Sequence, residues 1–291
     1  MVITSIRNAS LVSLFVMAVL VGEIYSQLVN RDLQELAAAE RAFAAETVKV
    51  GFRDGFIKYF ADDGIGFGPH PQRTKEVLQS RPAPTGPRTL VFNWQPLFGD
   101  ISQAGDLGYT TGPVLYTDLS PNPKTPWHGM YFSVWQKQPD GTWKVAVDMG
   151  VDVPKAVAPI DTQFVPARSV ASRVSTDDFQ KLDDLFSDLI SKTNVRKVYS
   201  SVLGDQFRIH RKNLMPITDK AGLGELSTWP THFEFIDGKI ARSKDLAFTY
   251  GKYTAPDETG YYVHVWRVDN SGRWRLVVDV QNPLPKAKDS Q

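Results

Sequence analysis

The run from His128 to Pro154, HGMYFSVWQKQPDGTWKVAVDMGVDVP, has a counterpart near the other end of the chain, Gly260 to Pro285, GYYVHVWRVDNSGRWRLVVDVQNPLP. Aligned without a gap, the two match Gly129 with Gly260, Tyr131 with Tyr262, Val134 with Val265 and Trp135 with Trp266. They go on to match Gly141 with Gly272, Trp143 with Trp274, Val147 with Val278, Asp148 with Asp279 and Pro154 with Pro285. Two tryptophans held at one spacing in both copies constrain the chain more than its composition does. They predict two like-folded domains from a duplicated unit.

Each copy reads as a β-hairpin. An alternating run (Met130 to Gln136, Tyr261 to Arg267) meets a turn, Pro139-Asp140-Gly141 or Asn270-Ser271-Gly272, and a second run leads from the Trp to the Asp. In the C-terminal copy, strict alternation puts Trp274, Leu276, Val278 and Val280 on one side of the second run and Arg275, Val277 and Asp279 on the other. The first run sets Tyr262, His264 and Trp266 against Tyr261, Val263 and Val265. An antiparallel sheet with one wet face alternates apolar and polar residues cleanly. These runs do not, so both faces should be covered, one by the copy's own helices and the other by the partner copy's sheet.

The 291 residues suffice for two domains with a core each. With 33 basic and 32 acidic residues there is no electrostatic footprint for nucleic acid or an anionic membrane. The absence of cysteine removes disulfides, thiolate catalysis and Cys-ligated zinc. Arg7 followed by the apolar run Leu11 to Val21 and the stretch Ile24-Tyr25-Ser26 reads as a cleavable signal over residues 1–26, which predicts a secreted or periplasmic protein with no membrane contact after processing.

In the first copy, Asn30 caps a helix to about Thr47 with Leu33, Leu36, Ala37, Phe43 and Ala44 as its buried stripe. A second helix, Phe52 to Ala61, ends at Asp63-Gly64, and the passage from Gly66 to Pro71 reads as loop. Strands follow at Thr89 to Trp94, Phe98 to Gln103 and Asp106 to Gly112. In the second copy Ser175 or Thr176 caps a helix whose Phe179, Leu182, Leu185, Phe186 and Leu189 share the buried spacing, and Val195 to Val202 forms the next. Strands are then expected at Gln206 to His210, His232 to Ile236 and Lys239 to Ser243. The domains run 28–154 and 175–285, with a linker at 155–174 that keeps some apolar grip (Ile160, Phe164, Val165) and a tail at 286–291.

The words GDLGYTTGP (Gly105 to Pro113) and HGMYFSVWQKQPDGTWKVAVDMG (His128 to Gly150), and more loosely the second copy, resemble the nuclear transport factor 2-like superfamily. Within it the SnoaL-like families and the domain of unknown function numbered 4440 are the most similar. The resemblance implies an α+β fold: two cone-shaped domains, each a curved, mostly antiparallel sheet wrapped around N-terminal helices, packed as a pseudo-dimer. It implies a pocket at a cone's open end, and little about chemistry, because that frame carries isomerases, dehydratases, hydrolases and binding modules alike.

Among candidate site residues, Asp148 and Asp279 recur after an apolar strand, where burial beside aromatic rings would raise a carboxyl toward use as a base. Alternation sets them opposite Trp143 and Trp274, which favours a structural role at the strand's end. The histidines do not repeat: His264 stands where the first copy has Ser133, and His128 enters the first hairpin. No His-x-x-x-His, glycine-rich phosphate loop or Gly-x-Ser-x-Gly elbow is present, so neither metal nor cofactor is expected. The first copy keeps a Gly-rich turn, Gly64 to Pro71, where the second has Gln206 to Arg211, and an insertion, Thr117 to Trp127, that the second shortens, which makes it the better candidate for an open pocket. Tyr59, Phe67, Trp94, Tyr109 and Trp135 are its expected ligand-binding residues, and Asp148 and His128 its candidate catalytic pair. The expectation is an extracytoplasmic protein binding a small apolar or amphipathic molecule; the alternative is a metal-independent isomerase, lyase or hydrolase with an Asp or His base. A homodimer stays open.

Overall fold

The computed structural model describes residues 30–158, 162–168, 175 and 177–285. The signal expected over 1–26, the tail at 286–291, part of the expected linker with Ile160, and the cap candidate Thr176 lie outside the described residues. No helix among the described residues is long and apolar enough to cross a membrane.

The first half opens with helix α1 (30–50), whose buried residues fall at Leu33, Leu36, Ala37, Glu40, Phe43, Ala44 and Thr47, one stripe at helical spacing. It continues with α2 (Phe52–Tyr59), β1 (Phe60–Phe67), β2 (Pro71–Arg73), α3 (Thr74–Ser80), β3 (Leu90–Trp94), β4 (Phe98–Ile101), β5 (Leu107–Asp118), β6 (Trp127–Lys137), β7 (Trp143–Val153) and β8 (Val165–Pro166). The sheet order is β2-β1-β7-β6-β5-β4-β8, with β3 also paired to β5. All of these pairings are antiparallel except β1 with β7 and β4 with β8.

The second half repeats the plan: α4 (Leu182–Lys192), α5 (Val195–Val202), β9 (Leu203–Arg211), β10 (His232–Ile240), β11 (Leu246–Ala255), β12 (Glu258–Val268) and β13 (Trp274–Pro283). Its sheet runs β10-β11-β12-β13-β9, and β9 lies parallel to β13 as β1 does to β7. The hairpin turns also agree. Gly141 (φ 84°) and Gly272 (φ 83°) take the left-handed conformation that glycine adopts without strain, and their N–H groups donate to the Gln138 and Asp269 carbonyls.

Three apolar clusters hold the molecule. One lies between α1, α2 and the first sheet, around Phe43, Phe60 and Trp135; a second lies between α4, α5 and the second sheet, around Phe186, Tyr199 and Trp266. The third is the seam where the two sheets face each other, with Tyr109, Phe132, Val147 and Met149 of the first against Phe248, Val263, Val265 and Val278 of the second. The two-faced burial read from the hairpins is therefore the packing observed. Buried Arg267 reinforces the seam, donating to the Ile101 carbonyl at 2.8 Å and lying 3.3 Å from Asp100 and 3.5 Å from Asp245.

Three expectations fail for physical reasons. Phe60 and Ala61, expected to end a helix, and Gly66 and Phe67, expected as loop, belong to β1: its glycines serve close approach, since a Cβ at Gly64 would sit 2.6 Å from the Val145 carbonyl oxygen. α3 follows with little signal in its short sequence. The strands expected at His232 and Lys239 are one strand, β10, broken by a register shift between Phe235 and Asp237. Leu185 and Leu189, expected in the buried stripe, are 56% and 45% exposed, because α4 turns Leu182, Asp183, Phe186 and Ile190 inward. In the stretch expected as linker, Phe164 is buried and Val165–Pro166 pairs with β4.

Candidate functional site

The site follows from a single extra residue in β7. Pairing with β6 shifts between Val134↔Val147 and Trp135↔Val145, so Ala146 is a bulge; β13 has the same shift between Val278 and Leu276. Before the bulge, Trp143 and Val145 face the helices; after it, Val147, Met149 and Val151 face the seam. The phase has flipped. Asp148 and Asp279 therefore share the helix-facing side with Trp143 and Trp274, not the opposite side as strict alternation requires.

Asp148 opens onto a cavity of about 320 Å³ enclosed by the first sheet, α1, α2 and α3. Its walls are aromatic and aliphatic, with Phe43, Phe56, Phe60, Trp94, Leu78 and Val114 among them. The Ser133 hydroxyl donates to Asp148 Oδ2 at 2.7 Å. Burial pushes the Asp148 carboxyl up to about 7, against the lowering effect of that hydrogen bond and helped by the nearby Glu40 carboxyl. Two further polar groups line the cavity and meet no partner, the Tyr131 hydroxyl and the Thr74 hydroxyl.

The second half shows why the first is hollow. By register, Gly66 corresponds to Ile209, Ser133 to His264 and Gly150 to Gln281, and Gly68 corresponds to Arg211 one pleat further on. The four larger side chains fill the second cone. Arg211 grips Asp279 at 2.6 and 3.2 Å, and His264 Nδ1 lies 2.7 Å from Asp183 while its Nε2 lies 3.4 Å from Asp279. Tyr199 and Tyr262 donate to Asp279 and Asp183 at 3.0 and 2.8 Å. Burial alone would raise Asp279, but Arg211 and His264 overcome it and hold the carboxyl well below the usual range. Burial would likewise lower His264, and the two carboxylates raise it instead. Asp148 has no such cation.

Beneath the cavity, Glu40 is fully buried on α1. It accepts from Trp94 Nε1 at 2.6 Å, Trp135 Nε1 at 2.7 Å and the Thr110 hydroxyl at 2.6 Å. Burial raises its carboxyl more than these bonds lower it. Sequence reasoning passed over Glu40, although it stands on the buried stripe of α1. An indole N–H can only donate, so both ring nitrogens need an oxygen. Glu40→Gln offers one oxygen and turns its amide donor on the other indole, and should cost about 2–3 kcal/mol, measured as a lower urea midpoint with an unchanged slope.

The expected site residues divide. Asp148, Phe67 and Trp94 line the cavity. Trp135 is fully buried below it, and Tyr59 stacks on Phe43 at 5.1 Å and meets the Trp135 edge. Tyr109 is turned into the seam, since its position on β5 shares the face of Leu107. His128 is five residues along β6 from Ser133, paired with Val153, and shares the face of Met130. The structure does not bring His128 to Asp148. No group of three His, Asp or Glu side chains placed to hold a metal ion occurs among the described residues.

Fold and site together define an α+β protein of two packed cones, the first hollow and the second filled. No family description and no curated protein matches the chain. Solved structures do. The chain is similar to a ketosteroid isomerase-like protein from Erwinia carotovora atroseptica, at 17% identity over 40% of this chain and 95% of that one, with a TM-score of 0.28. It is also similar to an NTF-2 like protein of unknown function from Shewanella oneidensis (12%, over 33% and 88%, TM-score 0.26) and to a DUF4783 family protein from Bacteroides uniformis (7%, over 36% and 99%, TM-score 0.30). These are the kinds of protein the sequence resembles; likeness of this degree carries nothing about activity.

Proposed function

We propose that the first cone is a receptor for a small, mostly apolar molecule, and that the second cone is its built-in structural partner. One observation carries this reading: an aromatic-walled cavity holds a desolvated carboxyl and two unsatisfied hydroxyls, while the equivalent space in the other half is filled by side chains. The expected signal places the protein outside the cytoplasm, and N-terminal sequencing of the protein from its native host should then begin at Gln27.

The test is to fill the space. A Cβ at Gly150 meets nothing nearer than the Met130 carbonyl oxygen at 3.4 Å, and the residue lines the cavity. Gly150→Phe should abolish binding of the neutral fluorophore phenylnaphthylamine and of any molecule that co-purifies by native mass spectrometry, with the melting temperature kept. Retained binding in a folded Gly150→Phe protein would place the receptor elsewhere.

A second reading rests on Asp148. A carboxyl poised at about 7 in one cavity with the Tyr131 hydroxyl suits proton transfer next to a carbonyl, with Asp148 as base and Tyr131 donating to the oxygen. Deuterium exchange into a bound ketone, lost in Asp148→Asn, would support it over simple holding.

A further inference from the structure

We infer that the ligand of the first cone is an amphipathic anion, whose apolar body enters the cavity and whose carboxylate or sulfonate-like end stays at the rim against Arg81. This rests on the receptor reading above. Arg81 follows the last turn of α3, lines the cavity and is itself exposed, so it stands at the mouth. It has no ion pair and no hydrogen bond among the described residues, and neither has the side chain of its rim neighbour Gln72. Arg53 is engaged with Asp54 and Arg88 with the Val48 and Lys49 carbonyls, while Arg73, also without an ion pair among the described residues, does not line the cavity.

The cavity's own carboxylate does not serve as Arg81's partner. Asp148 is bonded to Ser133, and the groups that act on it are the surrounding burial, Ser133 and Glu40, with no cation among them. The polar groups of the cavity are thus sorted, with the Tyr131 hydroxyl and the Asp148 carboxyl on the strands, the Thr74 hydroxyl at the start of α3, and an unpaired guanidinium and an amide at the entrance. A planar fork of donors at the edge of an apolar cup fits an oxyanion that two parallel hydrogen bonds can hold. A neutral apolar ligand would leave that fork unused.

Two probes with one ring body separate the cases: anilinonaphthalene sulfonate, which carries the anion, and phenylnaphthylamine, which does not. The wild-type protein should bind the sulfonate at least about fivefold more tightly than the neutral probe, as a charge-assisted pair warrants. Arg81→Gln should abolish that preference while changing the neutral probe's affinity by less than about twofold, and Arg81→Lys should restore part of it. Gly150→Phe should remove both. Equal affinity of the wild type for the two probes, or an Arg81→Gln effect of the same size on both, overturns the inference and leaves the receptor standing. Binding of the neutral probe without the sulfonate likewise overturns the inference alone, whereas failure of both probes to bind the wild type, or sulfonate binding that survives Gly150→Phe, overturns both.

Discussion

Arg211→Met should cost the protein about 3–5 kcal/mol, because it leaves the fully buried Asp279 carboxylate without its two-bonded guanidinium and with only the more distant His264 as a cation. At roughly 2–4 °C per kcal/mol for a chain of this size, the melting temperature should fall by about 10 °C. The double variant Arg211→Met with Asp279→Leu should recover much of the loss, since neither charge then remains buried. The network also sets a pH window. Asp279 is held below its unfolded value, so its contribution is present above about pH 4 and is lost as pH falls through the lowered value. His264 is held above its unfolded value, so its contribution is complete below about pH 6.5 and is lost as pH rises through the raised value. Calorimetry across pH checks both limbs. A loss below about 1 kcal/mol for Arg211→Met would mean that the filled cone does not depend on this network.

Asp148→Asn should have the opposite effect on the fold and a large effect on binding. The folded carboxyl titrates at about 7 and the unfolded one near 4, so between these values the folded state holds a proton that the unfolded state has released. Stability contributed at this position therefore falls as pH rises from about 4 to 7 and stays low above that. The carboxyl opens onto a cavity that admits water, which reduces the effect; Asp148→Asn should gain about 1–2 kcal/mol at pH 8 and nothing at pH 4. Binding should follow the same logic. An apolar body entering the cavity desolvates Asp148 further, so wild-type affinity for the neutral probe should fall up to about tenfold per pH unit above 7. The Asn variant should bind with no pH dependence across that range. A wild-type profile equally flat would show that the ligand does not reach Asp148.

The two matching hairpins were legible because tryptophan, turn glycine and strand-end aspartate recur at fixed spacing, and burial of both faces follows from Val263 and Val265 alternating with His264 and Trp266. The hollow first cone was also partly written in the chain, with Ser133 standing where the second half has His264, and Gly66 and Gly68 where it has Ile209 and Arg211. The direction of Asp148 was not. A bulge adds one residue and no sequence marker: Ala146 and Val277 look like ordinary strand residues, and the flip appears only once pairing partners are known. Glu40 escaped for a different reason, since its value as an acceptor depends on two indoles brought from β3 and β6. Tyr109 was misplaced because nothing in an apolar word such as Leu107 to Gly112 says which side meets the seam.

The seam gives the cavity two mechanically different walls. Tyr131, Ser133, Asp148 and Gly150 stand on strands whose alternate residues, Phe132, Val147, Met149 and Val151, are clamped against a second sheet. The opposite wall, built by α2 and α3 with Phe56, Val77 and Leu78, has no part in that clamp. The cup is thus an anvil faced by a pliant cover. The polar atoms of β6 and β7 keep fixed coordinates, Thr74 and Arg81 go with the cover, and accommodation to a guest's outline falls to the helices. Retuning which guest is accepted is therefore easiest by exchanging residues of that cover, with the anvil left untouched.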